Sequence, residues 1–554
     1  MPIKKRILML NDGHHLATGY ATYGKEVLSR LAATNKFELA ELACFTDVKQ
    51  AAAFNKQVPW AVYPNSVHDT DPRHQIFKSN PANSFGRWRF EHVCLDFKPD
   101  IVWDIRDYWM LAFSDMSPYR DLFHWAIMPT VDSAPQNEAW LETFINADSV
   151  LTYTDWGGDV LKDQCKDLIN YCGSASPGVD LDVYKPAPNK AEHKKKFGLD
   201  GNINIIGTVM RNQKRKLYPD LFRSFAEYIE ICMDNGREDL AKSTYLYVHT
   251  GYPDLGWSIP SLLKEHGVTH KVLFTYICHT CGHYFPSFFQ DARTVCPRCS
   301  SVSALTPSTA RGLSREQLAN IYNLFDCYIQ YSICEGFGMP QVEALACGLP
   351  LFTVDYSAMG EVGRKGGGEL LKVGKKFLEL ETGAYRVYPD NSYTAERFFE
   401  FLSLPQPIRA RKGFHARQAA EKFYNWDTIA KVWEQHFESV ELTGNQGEWD
   451  SECDIHNPLT EYLDVYDNMT NEQFVGFLFK QVLNKPEKQY SHMAMNALRS
   501  LNYGLQMTAN KMVPFTRQQL FEQFSGMAQN IAIAENHRKF SDGSSQEDYI
   551  KVAH

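Results

Sequence analysis

The sequence predicts an α/β protein built from two parallel-sheet domains, and three observations carry that expectation. At 554 residues the chain exceeds what one hydrophobic core normally serves. Short β-rich apolar runs alternate with amphipathic helical stretches over residues 1–440, the pattern of parallel sheets covered on both faces. Two C-x-x-C pairs then interrupt the second series of elements. A hydrophobic content of 44% fits a globular chain, and a net charge of −9 argues against a generally basic nucleic-acid binder. No apolar run reaches the roughly 20 residues that span a bilayer. The start MPIKKRILML lacks a signal-peptide core and reads as a first strand, so a cytoplasmic location is expected.

The first domain is assigned to residues 1–185, with strands at 3–10, 37–44, 101–105, 124–129 and 149–153. After the first strand, Gly13, Thr18 and Gly19 loosen a loop that enters a helix around residues 23–31. The loop is not a G-x-G-x-x-G fingerprint, so no dinucleotide site is read there. His14 and His15 lie in it, either facing an acceptor or serving as solvated or capping side chains. Ligands of such sheets bind beyond the carboxyl ends of the strands. Asp104 and Asp107 after WDI, and Asp132 after IMPTV, are therefore acceptor-side candidates, with helix caps or surface carboxylates as the alternative.

The second domain is assigned to 186–408. Its opening strand at 202–210 runs into Arg211, Arg215 and Lys216, cations that suit a diphosphate beside a helix start. Further strands are expected at 246–248 and 271–276. Cys278, Cys281, Cys296 and Cys299 then form two knuckles whose four thiolates suit a closed, tetrahedral, structural zinc. This zinc-ribbon insertion, placed at 277–312, interrupts a strand-to-helix connection on the ligand side of the sheet and is expected to border the cleft.

The stretch YSICEGFGMPQVEALACG follows the apolar run 327–333 and organises the rest. Gly336 and Gly338 permit close approach of their amides to a ligand, Pro340 suits a first helical turn, and the helix start favours a phosphate or hydroxyl. Glu335 and Glu343 bracket that start. Residues 443–457 read as a linker, and 459–540 as a helical appendage that packs on the rest of the chain or mediates self-association.

The residues E-G-F-G-x-P-x-x-E-A-x-A-C-G-x-P, from Glu335 to Pro350, resemble the E-x7-E signature of family-4 retaining glycosyltransferases of the GT-B fold. The resemblance implies two Rossmann-like domains facing a cleft, transfer with retention from a nucleotide diphosphate sugar, UDP by family precedent, and no catalytic metal. It places Glu335 on the donor sugar and Glu343 on the ribose. Phe337, Met339 and the glycine amides of Gly336 and Gly338 fall on sugar and phosphate, Arg211 and Lys216 on the diphosphate, and Gly19 in the loop facing the donor phosphates. It also implies that residues 409–440, with Phe423 and Trp426, form the family's closing helix, which crosses back to the first domain. The ribbon departs from the family. Its site, with Arg293, Arg298 and His279 for backbone and base contacts, makes a hydroxylated base in DNA one acceptor candidate, as in DNA-modifying enzymes of bacteriophages. Protein, small-molecule and polysaccharide acceptors remain open, as does a noncatalytic binding role on the same frame.

Overall fold

The first strand shows why the chain folds as a parallel sheet: in the computed structural model β1 (Arg6–Asp12) buries every residue after Arg6, as a central strand covered on both faces must. The structure describes residues 4–442 except 118 and 309–310, with 444, 449, 469–483 and 491–540 except 509–510. Most of the linker expected at 443–457, and residues 459–468 and 484–490 of the appendage, lie outside the described residues.

Seven parallel strands form the first sheet. They are β1, β2 (Glu38–Cys44), β3 (Ala61–Pro64), β4 (Ile101–Asp104), β5 (His124–Ile127), β6 (Ser149–Thr152) and β7 (Tyr171–Ser174), in the order β3-β2-β1-β4-β5-β6-β7. Ile7 sits opposite Leu39 on one side and Ile101 on the other, which fixes the register of the centre. The short runs AVYP and YCGS were too brief and too Pro-, Gly- and Ser-bearing to read as β3 and β7 from sequence.

The second sheet holds β8 (Asn204–Val209), β9 (Thr244–His249), β10 (Val272–Cys278), β11 (Tyr284–Phe288), β12 (Arg293–Thr294), β13 (Ala304–Leu305), β14 (Cys327–Gln330), β15 (Leu351–Val354) and β16 (Glu369–Leu371). Its order is β12-β13-β10-β9-β8-β14-β15-β16, with β11 on the free side of β10. Strands β8 to β10 and β14 to β16 run parallel, whereas β11, β12 and β13 are antiparallel. The cysteine insertion is thus a continuation of the sheet rather than a free lobe. A hairpin of β17 (Val373–Glu379) and β18 (Ala384–Pro389) follows the last parallel strand.

The helix Trp426–Ser439 crosses back to the first domain. Trp433 meets Trp103 at 4.7 Å between ring centroids and donates its indole N–H to Tyr23 Oη at 2.6 Å. Lys5 Nζ donates to the carbonyls of Phe437, Glu438 and Val440 at 2.7–2.9 Å, satisfying acceptors at the helix C-terminus. Gly178 permits the crossing, since a Cβ there would lie 2.6 Å from the Trp426 ring. Beyond it, the helices Asn471–Phe477, Ser491–Tyr503 and Arg517–Phe540 and a two-stranded ribbon, 505–508 with 511–514, form the described appendage. Phe474, Phe477, Phe521 and Phe524 share one buried cluster with Leu8, Leu10, Phe90 and Trp125, so this apolar face is spent on the chain's own first domain.

Candidate functional site

Strand β14 delivers its chain end to the mouth of the interdomain cleft, where the backbone zips against the loop that follows β8. Leu217 N–H donates to Tyr331 O at 3.3 Å, and Ile333 N–H donates to Arg215 O at 3.0 Å. This pairing brings cations onto Glu335, which is 5% exposed. Its Oε1 accepts from Lys216 Nζ and, at 2.7 Å, from Gln330 Nε2; its Oε2 accepts from Arg215 at 2.9 Å. Burial pushes the Lys216 ammonium well below the ordinary lysine range and Arg215 adds repulsion, while the Glu335 carboxylate against it offers a counter-charge. The Glu335 N–H is held by Ser357 Oγ at 3.2 Å, and Ser357 itself adopts a positive φ of 50°.

Arg211 lies elsewhere. Its guanidinium makes a two-pronged pair with Asp254 at 3.0 and 3.1 Å and stays half exposed, while Arg215 occupies the place beside Glu335. Arg211 therefore does not join Lys216 at Glu335; the cation that does is Arg215.

Gly336 and Gly338 do different jobs. A Cβ on Gly336 would stand 2.3 Å from Thr130 Cγ2 of the first domain, so glycine there lets the two domains meet. Gly338 has φ +86° at the start of the helix Met339–Ala346, whose first turn no side chain caps. Phe337 is buried against Tyr424 with centroids 5.8 Å apart, and its carbonyl accepts from Gln341. Glu343, inside that helix, accepts from Tyr322 Oη at 2.6 Å, and the Tyr184 hydroxyl also bonds to it. Burial raises this carboxyl above the usual range.

Across the cleft, Thr18 caps the helix Gly19–Thr34 and donates to Asp12 at 2.7 Å. A Cβ on Gly19 would meet nothing within 4 Å, so space stands open before that helix start. Tyr20 Oη donates to Asp107 at 2.7 Å and lies 2.9 Å from Thr130 Oγ1. Burial raises the Asp107 carboxyl, and Asp132 and Arg215 lie close enough to act on it. Asp132 accepts from Arg386 at 2.8 Å across the domain boundary, and the Cys334 thiol sits 3.3 Å from its other oxygen.

The other first-domain candidates are placed differently. Asp104 is fully buried with Arg106, a closed ion pair that no acceptor reaches. His14 is buried against Glu41, which binds both its N–H at 2.8 Å and Nδ1 at 2.9 Å and also takes the Trp60 indole. His15 is exposed and stacks on Phe54 at 4.7 Å. Arg386, Ser357 and Tyr20 were not assigned roles from sequence, because each acts through a partner far away in the chain; Arg215 was read as a diphosphate cation but not as a partner of Glu335.

The domains also touch beyond the turn. Glu361 accepts the N–H groups of Asp155 and Trp156 at 3.2 and 2.7 Å, capping a first-domain helix from the second domain. Tyr385 N–H donates to Ala134 O at 3.0 Å. Beside these contacts opens a cavity of 570 Å³ bordered by Trp156, Tyr356, Tyr385, Gln164 and Lys376.

Cys278, Cys281, Cys296 and Cys299 bring their four Sγ atoms within 4.8 Å of one another. The pairs Cys278–Cys299 and Cys281–Cys296 stand 3.5 and 3.7 Å apart. A tetrahedron with metal–sulfur bonds of about 2.3 Å has edges of about 3.8 Å, so the cluster fits a four-thiolate metal such as zinc.

Comparison with known proteins agrees with this architecture. Residues 310–379, which contain both Glu335 and Glu343, match the family described as glycosyl transferases group 1. Sucrose-phosphate synthase from Thermosynechococcus elongatus superposes with a TM-score of 0.56 at 16% identity, covering 79% of this chain and all of that one. HepE from Anabaena, solved with UDP-glucose, gives 0.53 at 13% identity over 78% of this chain and all of that one. The D-inositol 3-phosphate glycosyltransferase of Mycobacteroides abscessus is 27% identical over 175 residues, 32% of this chain and 29% of that protein. The chain spans only 29–38% of the length of the curated relatives it matches. The architecture is that of the GT-B class, with two facing α/β domains. Within that class the chain carries the group 1 segment, set on β14 and the helix after it.

Proposed function

We propose that this chain is a retaining glycosyltransferase that moves a sugar from a UDP-sugar to an acceptor hydroxyl. The observation that carries the reading is the convergence of Lys216 and Arg215 on Glu335 at an uncapped helix start, inside the group 1 segment. The HepE complex with UDP-glucose supports the donor class. Cations and helix amides preorganised around a leaving diphosphate lower the barrier where charge develops. Lys216 and the helix start hold the diphosphate, with Arg211 at the rim. Glu335 exchanges a cation contact for a donor-sugar hydroxyl, and Glu343 with its two phenols takes the ribose. Domain contacts through Thr130, Arg386 and Glu361 exclude water, limiting donor hydrolysis.

Asp107 with Tyr20, and Asp132, form the acceptor side. A zinc held by the four cysteines supplies a structural crosslink, and no step of the transfer runs through it. A hydroxylated base in DNA is the acceptor favoured by the exposed Arg293, Arg298 and His279 on the ribbon. Incubation with radiolabelled UDP-glucose and DNA containing hydroxymethylated pyrimidines, beside glycan, protein and polyol acceptors, tests this. Label in DNA supports the acceptor, whereas label only in another class replaces it. No donor turnover or binding across a panel of nucleotide sugars rejects the enzyme.

A further inference from the structure

The cysteine insertion is fastened to the loop after β9 by the hydroxyl of Thr306. Strand β13 leaves the metal cluster with Ala304 paired to Cys278, and the second residue beyond it is Thr306, 6% exposed. Thr306 Oγ1 accepts the Tyr252 N–H and donates to the Tyr252 carbonyl, both at 2.9 Å. A Cβ on Gly251 would lie 2.6 Å from Pro307 O, so the two backbones are pressed together there. The clamped loop then reaches the cations. Asp254 holds Arg211, and Trp257 exchanges hydrogen bonds of 2.8 and 2.9 Å with the side chain of Asn212, which is fully buried. The Trp257 indole N–H donates to Lys216 O at 2.8 Å. Gly256 lies flat on Asn212, with a Cβ there 2.3 Å from Oδ1.

We propose that the metal-bound insertion also acts on the donor: through Thr306, Tyr252 and Trp257 it sets the loop 211–216 that grips the diphosphate. Thr306 and Trp257 are positioning residues, and neither contacts the ligand. The proposal rests on the assignment of Lys216 to the diphosphate, and it makes donor affinity depend on a metal that takes no part in the chemistry. Register is the means. Four sulfurs on one ion would fix β13 against β10, and Thr306 stands two residues along the same strand path.

The test compares UDP and uridine binding by calorimetry on the full-length, metal-loaded protein. Thr306→Val removes both hydrogen bonds at nearly constant volume, and Thr306→Ser restores the hydroxyl. Thr306→Val and Trp257→Phe should each weaken UDP about tenfold, leave uridine within twofold, and keep full metal content; Thr306→Ser should bind as the parent does. Metal removal by a chelator should reproduce the loss for UDP. Unchanged UDP affinity in Thr306→Val and Trp257→Phe overturns the proposal, as does an equal loss for uridine, which marks general loosening. A parent protein that binds uridine but gains nothing from the diphosphate defeats the assignment of Lys216 itself. That result separates failure of the donor site from failure of its support.

Discussion

The two faces of the cleft use carboxylates in opposite ways. On the second domain, Glu335 is gathered in by Lys216, Arg215 and Gln330, so a buried charge is balanced by charges. On the first domain, Asp107 is held by the hydroxyl of Tyr20, beside Thr130, and burial favours its neutral form. On the proposed function, a cation-bound carboxylate would keep Lys216 in place for the diphosphate and yield to a sugar hydroxyl. A hydroxyl-bound carboxylate with a raised pKa suits a proton-sharing contact with an acceptor. The difference teaches that one face is organised for charge and the other for hydrogen bonding.

The largest expected effect breaks the charged side. Glu335→Gln keeps the volume and removes the counter-charge from Lys216 and Arg215. Transfer should fall by about 100-fold or more while UDP affinity stays within about threefold, because the interaction lost is one to the reacting sugar. Steady-state transfer and calorimetry on the same sample check this. If Glu335→Gln transfers as the parent does, the contrast between the two faces has no catalytic meaning.

Next comes a control on the first domain. Asp104→Asn leaves Arg106 buried without its counter-ion, and breaking a buried pair costs about 3–5 kcal/mol. Asp107→Asn should cost far less stability but lower transfer about tenfold. Denaturant unfolding and transfer rates measured side by side separate a structural carboxylate from a working one. Asp104 ends β4 and Asp107 stands three positions later, and their residue types alone do not rank them.

That pair shows what was legible and what was not. The E-x7-E stretch was readable because its parts are consecutive: strand, glycine turn, helix and two glutamates follow one another from Cys327 to Ala346. The four cysteines were readable for the same reason, two tight knuckles each written in four residues. The partners of Glu335 were not fully readable. Arg211 and Arg215 are equally cationic in sequence, and only the packing of Asp254 against the first left the second for Glu335. Arg386 was invisible, since its role depends on the hairpin β17–β18 reaching Asp132 in the other domain. The histidine pair divided likewise: His14 turned inward to Glu41 because the strand β2 carries a buried acid that needs a donor.

A moderate effect is expected at the nucleoside end. Glu343→Gln should weaken UDP and uridine together, each about fivefold to tenfold, because a charged acceptor for a diol is exchanged for a neutral amide. A loss confined to UDP would place Glu343 on the diphosphate and erase the division of labour along the motif.

The smallest expected effect is a slope in pH. Burial raises the folded-state pKa of both Glu343 and Asp107, so the native protein binds their protons more tightly than the unfolded chain does. Stability from these groups is fully present below the ordinary carboxylate range near about pH 4 and is lost as pH rises through their raised values. Carboxylates held by cations act in the reverse sense: Asp254, paired with Arg211, is lowered and loses its contribution as pH falls. The thermal midpoint of the parent reports the sum, so the informative quantity is the difference between parent and variant. Glu343→Gln, which cannot titrate, should gain on the parent as pH rises above about 4 and level off once the raised carboxyl has ionised. Saturating UDP should shrink that gain if a ribose diol is what the ionised carboxylate accepts. A difference that stays flat across pH would mean that the two phenols hold Glu343 ionised throughout, and would move this carboxylate to the charge-balanced side of the comparison.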